Sequence, residues 1–204
     1  NHCFVEKVLC ALLMIPYAMP FRAFISVDLD FNPLFENFSN VLQNTGARLK
    51  PVRMDQIHMT LKFLGNTDEK LVPRIEAIMK EAVQGIRPFE VGFEGTGAFP
   101  SMKYIKVIWI GLTNSGPLAD ISEFLDSEMQ QLGFKREGRK FSPHITIARL
   151  KGSRGKEKIQ EILSKTRNVD FGTQMIERLR LKKSVLEKSG PVYSTVAEVP
   201  FPTS

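Results

Sequence analysis

HMTLKF, residues 58–63, and HITIAR, residues 144–149, are one pattern written twice: a histidine, an apolar residue, a threonine and another apolar residue. The chain holds 3 histidines in 204 residues, and two of them stand in this frame. Both stretches are short and apolar-rich, and Gly65-Asn66 closes the first, so each reads as a strand. Side chains alternate across a strand, so residues i and i+2 share a face. By that parity His58, Thr60 and Lys62 point one way, and Met59, Leu61 and Phe63 the other. His144 and Thr146 likewise oppose Ile145 and Ile147. Each strand thus offers an apolar face to a core and a polar face to a cleft. Strict parity turns Arg149 away from His144, so Arg149 reaches the cleft only where the strand ends or bulges.

The elements around the two stretches follow from local pattern. RAFISVDL, residues 22–29, reads as a strand, and Asn32-Pro33 supplies an N-cap and a first-turn proline for a helix carrying Phe35, Phe38, Val41 and Leu42. A second helix starts near Val72, with Pro73 in its first turn and Leu71, Ile75, Ile78 and Ala82 on one face. FEVGFEG and the β-branched YIKVIWIGL read as two strands. Leu118, Ile121, Leu125, Met129 and Leu132 mark a helix opened at Ser115-Gly116-Pro117 and ended by Gly133. A short basic helix is expected around Ile159–Leu163, then two strands, about Ile176–Lys182 and Val192–Val199, with a turn at Gly190-Pro191.

Composition bounds the function classes. Hydrophobic content of 43% and charged content of 25% are those of an ordinary globular chain. The net charge of +6 is concentrated: Lys135–Lys158 holds nine Lys/Arg against Glu137 and Glu157, and the second motif lies inside that window. The window is either a solvated face or an electrostatic funnel for phosphate. Cys3 and Cys10 are the only cysteines, so no disulfide framework is expected, and a reducing, cytoplasmic setting fits. VLCALLMIPYAM, residues 8–19, is too short to span a bilayer. Residues 1–20 read as an extension before the domain; a signal or membrane-surface segment is the alternative.

Candidate chemistry narrows by residue type. The sequence has no HExxH, no His/Cys cluster and no carboxylate pair at ligand spacing, so no metal or other cofactor is expected. It has no GxSxG elbow, and both cysteines precede the domain. Two histidines suit general acid–base catalysis: with unperturbed values near pH 6.5, one can be neutral while the other is protonated. Thr60 and Thr146 offer hydroxyls to non-bridging phosphate oxygens. Phe63 and Phe141 can stack on a base or pack in a core.

The paired HxTx motifs, His58-Met59-Thr60-Leu61 and His144-Ile145-Thr146-Ile147, resemble those of the 2H phosphoesterase superfamily, and within it the RNA 2',3'-cyclic phosphodiesterases, also known as 2'-5' RNA ligases. RAFISVDL, GTGAFPSMKYIKVIWIGL, LGFKREGRKFSPHITIARL and LKKSVLEKSGPVYSTV resemble further family blocks, so the likeness runs from about Phe21 to Phe201, while residues 1–20 match none of it. The resemblance implies an α+β fold over residues 21–204: two similar lobes, each an antiparallel sheet backed by helices, facing across a central cleft. It implies hydrolysis of a terminal 2',3'-cyclic phosphate on RNA to a 2'-phosphate, with His58 as proton donor, His144 as proton acceptor and Thr60 and Thr146 on the phosphate. Lys62 and Arg149 are the implied substrate contacts. The implied partner is an RNA end, with a free nucleotide as a second ligand class, no membrane, and a monomeric chain. Ligation of RNA halves through a 2'-5' bond is the reverse reaction at the same site. A module that binds RNA ends without turnover is the non-enzymatic alternative.

Overall fold

The computed structural model describes residues 19–138, 140–188 and 190–203. The expected extension therefore falls outside the described residues, apart from Met19 and Pro20. Nine strands are described: β1 (Phe21–Asp28), β2 (Leu49–Pro51), β3 (His58–Thr67), β4 (Phe89–Pro100), β5 (Ile105–Thr113), β6 (His144–Leu150), β7 (Asp170–Ile176), β8 (Arg178–Glu187) and β9 (Gly190–Pro200). Four α-helices lie between them: α1 (Pro33–Gln43), α2 (Val72–Ala82), α3 (Gly116–Glu128) and α4 (Lys156–Lys165). Every strand pairing is antiparallel, in one sheet of order β3-β1-β8-β9 and another of order β2-β6-β5-β4-β7. The fold is α+β, with each motif strand in its own sheet.

The helix signals act locally, as their sequence dictates. Asn32 accepts from the Leu34 amide at 2.8 Å, and Pro33 fills the first turn of α1, where its missing N–H costs nothing. Gly133 closes the turn after α3 with φ 86°, which a Cβ would strain. The apolar stripes then find their cores. Phe35, Phe38 and Leu42 of α1 are buried, and Phe35 meets Phe93 edge-on at 5.0 Å.

Two of the four helices, α1 and α3, are exchanged between the sheets. α1 follows β1 but packs against β2, β6 and β7 of the five-stranded sheet. α3 follows β5 of that sheet but packs against β3 and α2 of the four-stranded one. This exchange ties the two halves together, and β3 and β6 touch where the sheets meet.

Two expectations need correction. The strand expected over Ile176–Lys182 is two strands in different sheets: β7 ends at Ile176 and β8 begins at Arg178. The chain changes sheet at Glu177, whose carbonyl accepts from Phe201 at 2.7 Å, so that Ile176 pairs with Phe89 of β4 and Leu179 with Val199 of β9. β2, three residues on the edge of β6, has no counterpart among the expected strands. Its residues show no periodicity of their own, and only pairing with β6 makes them a strand.

Candidate active site

Both motif strands break their alternation at the same place. In β3, Ser26 pairs with Thr60 and Ile25 with Lys62, so Leu61 is the extra residue of a bulge. In β6, Trp109 pairs with Thr146 and Ile108 with Ala148, so Ile147 is extra. The bulge buries two consecutive residues in each strand, Leu61 with Lys62 and Ile147 with Ala148. It then turns Phe63 and Arg149 onto the faces of His58 and His144. Phe63 is 64% exposed there. Arg149 lies close enough for its charge to act on both histidines.

The same bulge corrects the reading of Lys62. Its side chain is fully buried on the opposite side of β3 from His58, where Nζ bonds Asp126 Oδ1 at 2.5 Å and the Lys135 carbonyl at 2.7 Å. Asp126 also accepts from the Glu137 amide at 2.9 Å, and Ser122 Oγ donates to the Leu61 carbonyl at 2.7 Å. Helix α3 thus grips the bulge from behind through Ser122 and Asp126. Lys62 secures the strand and is out of reach of a phosphate in the cleft.

The two histidines are set alike. His58 Nδ1 lies 2.8 Å from the Gln56 carbonyl, and His144 Nδ1 lies 2.7 Å from the Ser142 carbonyl, each two residues upstream. A carbonyl only accepts, so Nδ1 carries the hydrogen and donates it, and Nε2 of the neutral ring is left bare for proton transfer. His58 is walled by Phe24 at 4.9 Å and Tyr193 at 5.1 Å. His144 meets Phe99 edge-on at 4.8 Å, and Phe99 leans on Trp109 at 5.3 Å. The indole of Trp109 lies across Gly97, where an added Cβ would come within 2.2 Å of it, so only glycine admits the ring. The hydroxyls of Thr60 and Thr146 have no hydrogen-bond partner among the described residues. Phe141 packs against the core margin.

Electrostatics separates the pair. Burial pushes both imidazoles below their ordinary value, and the carbonyl bond of each opposes that. Arg149 lowers both further. Among the described residues only His58 has a carboxylate acting on it: Asp28, its register partner on β1, favours the imidazolium, and Lys182 opposes that effect. Asp28 Oδ2 is held by Lys182 at 2.5 Å and Arg180 at 2.8 Å. Burial alone would raise the Asp28 carboxyl, but those two cations hold it below the ordinary range. Sequence reasoning misses Asp28, Lys182 and Tyr193, since no motif marks them and three different strands bring them together. Among the described residues no three His, Cys, Asp or Glu side chains converge as a metal-ligand set, and no helix is long and apolar enough to cross a membrane.

A family model described as the 2'-5' RNA ligase superfamily matches residues 35–183. An RNA 2',3'-cyclic phosphodiesterase of Methanothermobacter thermautotrophicus is 35% identical over 178 residues, covering 86% of this chain and 96% of the relative. One of Methanocaldococcus jannaschii is 34% identical over 87% of this chain and 99% of its own. A crystal structure of a Thermus thermophilus protein superposes with a TM-score of 0.68 at 26% identity, covering 88% of this chain and 97% of that one.

Proposed function

The chain belongs to the 2'-5' RNA ligase superfamily, and from that premise we propose that it hydrolyses the 2',3'-cyclic phosphate at an RNA end to a 2'-phosphate, by acid–base catalysis between His58 and His144. The observation that carries this reading is the repeated setting of the two rings, each with Nδ1 tied to a carbonyl and Nε2 bare, in the shared field of Arg149. Water attacks phosphorus opposite the 3'-oxygen and loses its proton to His144. The bond to the 3'-oxygen breaks, and His58 protonates that oxygen. Water's oxygen stays on phosphorus, which leaves a 2'-phosphate and a free 3'-hydroxyl. We give His58 the donor role by the family likeness, and Asp28, which favours its charged form against Lys182, supports that choice. Thr60 and Thr146 donate to non-bridging oxygens, Arg149 balances the phosphate charge, and exposed Phe63 offers a stacking face to the terminal base.

Residues 21–204 act as one catalytic unit and as a monomer, with RNA ends as substrate and no cofactor. A reducing, cytoplasmic compartment fits a domain without cysteine after Cys10. The direct test is incubation in EDTA with a short RNA ending in 2',3'-cyclic phosphate, followed by identification of the product. A 2'-phosphate supports the reading. A 3'-phosphate, or an RNA bound but unchanged, rejects it.

The pH profile tests the proton roles. In the free enzyme both imidazoles sit below the ordinary value, so the donor loses its proton at a lower pH than a solvent-exposed histidine would. The profile of kcat/KM is therefore a bell whose optimum lies on the acid side of about pH 6.5. A bound phosphate's negative charge favours the imidazolium, so the alkaline limb of kcat lies at higher pH than that of kcat/KM. Profiles measured under saturating and limiting substrate check this. A rate that rises monotonically with pH and collapses in EDTA would contradict it.

The basic window makes a separate prediction. Lys151 and Arg154 are exposed in the turn after β6, and Lys156 opens α4 beside them. Phosphate contacts release counterions, so affinity for RNA falls with added salt. Replacing all three residues with alanine is expected to flatten the plot of log affinity against log salt. An unaltered slope would make this segment a solvated face.

A further inference from the structure

We propose that Tyr193 is a phosphate-binding residue, whose phenolic hydroxyl donates a hydrogen bond to a non-bridging oxygen of the phosphate held between His58 and His144. The naming of that phosphate rests on the cyclic-phosphodiester reading above.

Tyr193 stands near the start of β9, the edge strand of the four-stranded sheet and the strand farthest from β3 in its order. Its ring nonetheless meets His58 edge-on at 5.1 Å and 85°, and Phe24 edge-on at 5.1 Å and 79°. Phe24, Lys182 and Thr195 share one register row, and Tyr193 lies two residues along β9 from it, near enough for its long side chain to reach Phe24 and His58. The ring is therefore fixed by aromatic contacts, independently of its oxygen. The hydroxyl makes no hydrogen bond among the described residues. The oxygen is not buried, so it is open to water and equally to an incoming acceptor.

The charges around the hydroxyl indicate which acceptor. The two that act on Tyr193 are Arg149 and Arg22, both positive. Arg22 lies in one register row with Ser184 and Tyr193. Arg149 also acts on both histidines, so the field at the hydroxyl is continuous with the field at the catalytic centre. A donor in positive surroundings is matched by an anion, and charge-assisted bonds from O–H groups to anionic oxygens are strong. Burial pushes the phenol above its ordinary value, so it keeps its proton wherever the histidines operate. A neutral sugar or base would satisfy the hydrogen bond but leave the two guanidinium charges unanswered.

Tyr193→Phe keeps the ring and its contacts and removes only the oxygen. The probes are a nucleoside 2'-monophosphate and inorganic phosphate, with binding measured by calorimetry on wild type, Tyr193→Phe and Tyr104→Phe, the last an exposed tyrosine. Loss of one hydrogen bond to a charged group predicts affinity for both probes about 10–100-fold weaker in Tyr193→Phe, and no change in Tyr104→Phe. A tyrosine that only walls in His58 would leave binding within about twofold of wild type, and that result overturns the proposal. Failure of wild type to bind either probe overturns it as well. Turnover of the cyclic phosphate is measured on the same samples. A wild type without turnover, but with phosphate binding weakened by Tyr193→Phe, rejects the catalytic reading and leaves the Tyr193 contact standing. Normal turnover with undiminished binding in Tyr193→Phe does the reverse.

Discussion

Replacing His58 or His144 with alanine is expected to lower turnover of a 2',3'-cyclic phosphate end by about 10²–10⁴-fold in each case, the usual worth of one positioned acid or base. The expectation rests on geometry shared by the two rings. Each has one nitrogen committed to a backbone carbonyl, so the other has no task in the fold. Alanine therefore removes a proton carrier, while the backbone of β3 and β6 stays in its ladders. The double variant should lose far less than the product of the single losses, because both groups act in one displacement and neither helps fully without the other. Thr60→Val and Thr146→Val should cost less, since each removes one hydrogen bond to phosphate. Single-turnover rates of the purified variants decide the matter, and near-wild-type rates in either histidine variant would end the two-histidine mechanism. The residual activities also assign the roles. His58→Ala should lose the alkaline limb of the pH profile, and His144→Ala the acidic limb. The opposite pattern would exchange donor and acceptor.

Lys62→Met is expected to destabilise the fold by about 3 kcal/mol, the lower end of what breaking a buried ion pair costs. Methionine keeps most of the lysine's stem volume, so the loss falls on the Asp126 carboxylate and the Lys135 carbonyl that Nζ had satisfied. Asp126 retains Arg136 at 3.3 Å and the Glu137 amide at 2.9 Å, which keeps the cost from the upper end. Denaturant unfolding near neutral pH measures the difference. Burial would raise the Asp126 carboxyl, yet Lys62 and its other partners hold it low. A depressed carboxylate contributes stability that is present above its unfolded value and lost as pH falls toward the folded one. The gap between wild type and Lys62→Met should therefore narrow below about pH 4. Well below the unfolding temperature, KM for the cyclic phosphate should be unchanged in this variant. A large rise in KM with stability intact would mean that Lys62 touches substrate, against its burial behind β3.

What was legible in the sequence is what depends on neighbours along the chain. Asn32 and Pro33 start α1 because a cap and a first-turn proline act within one helical turn. Leu118, Ile121 and Leu125 fall on one face of α3 by helical period alone, and all three are buried. His58 with Thr60, and His144 with Thr146, share faces because alternation over two residues is a property of any strand. The repeated motif therefore carried the family resemblance, from which the fold class followed, and the candidate site residues before any contact was known.

Alternation fails beyond the fourth residue of each motif, where a strand's register is set by the strand beside it. Leu61 and Ile147 become bulged residues only through their pairing with β1 and β5. That pairing sends Lys62 inward to Asp126 on a helix 64 positions away and brings Phe63 and Arg149 into the cleft. One trace of this lay in the sequence: Ile147 and Ala148 are adjacent apolar residues before an arginine, a break in period two that a regular strand would not carry. Asp28 and Tyr193 left no such trace. Their positions beside His58 depend on the order β3-β1-β8-β9 and on the twist of that sheet. The sequence by itself determined most of the strands, the paired histidines and the chemistry they suit. Only the tertiary structure decided which charges face them, because a charge acts across space on whatever the sheet places near it, regardless of distance along the chain.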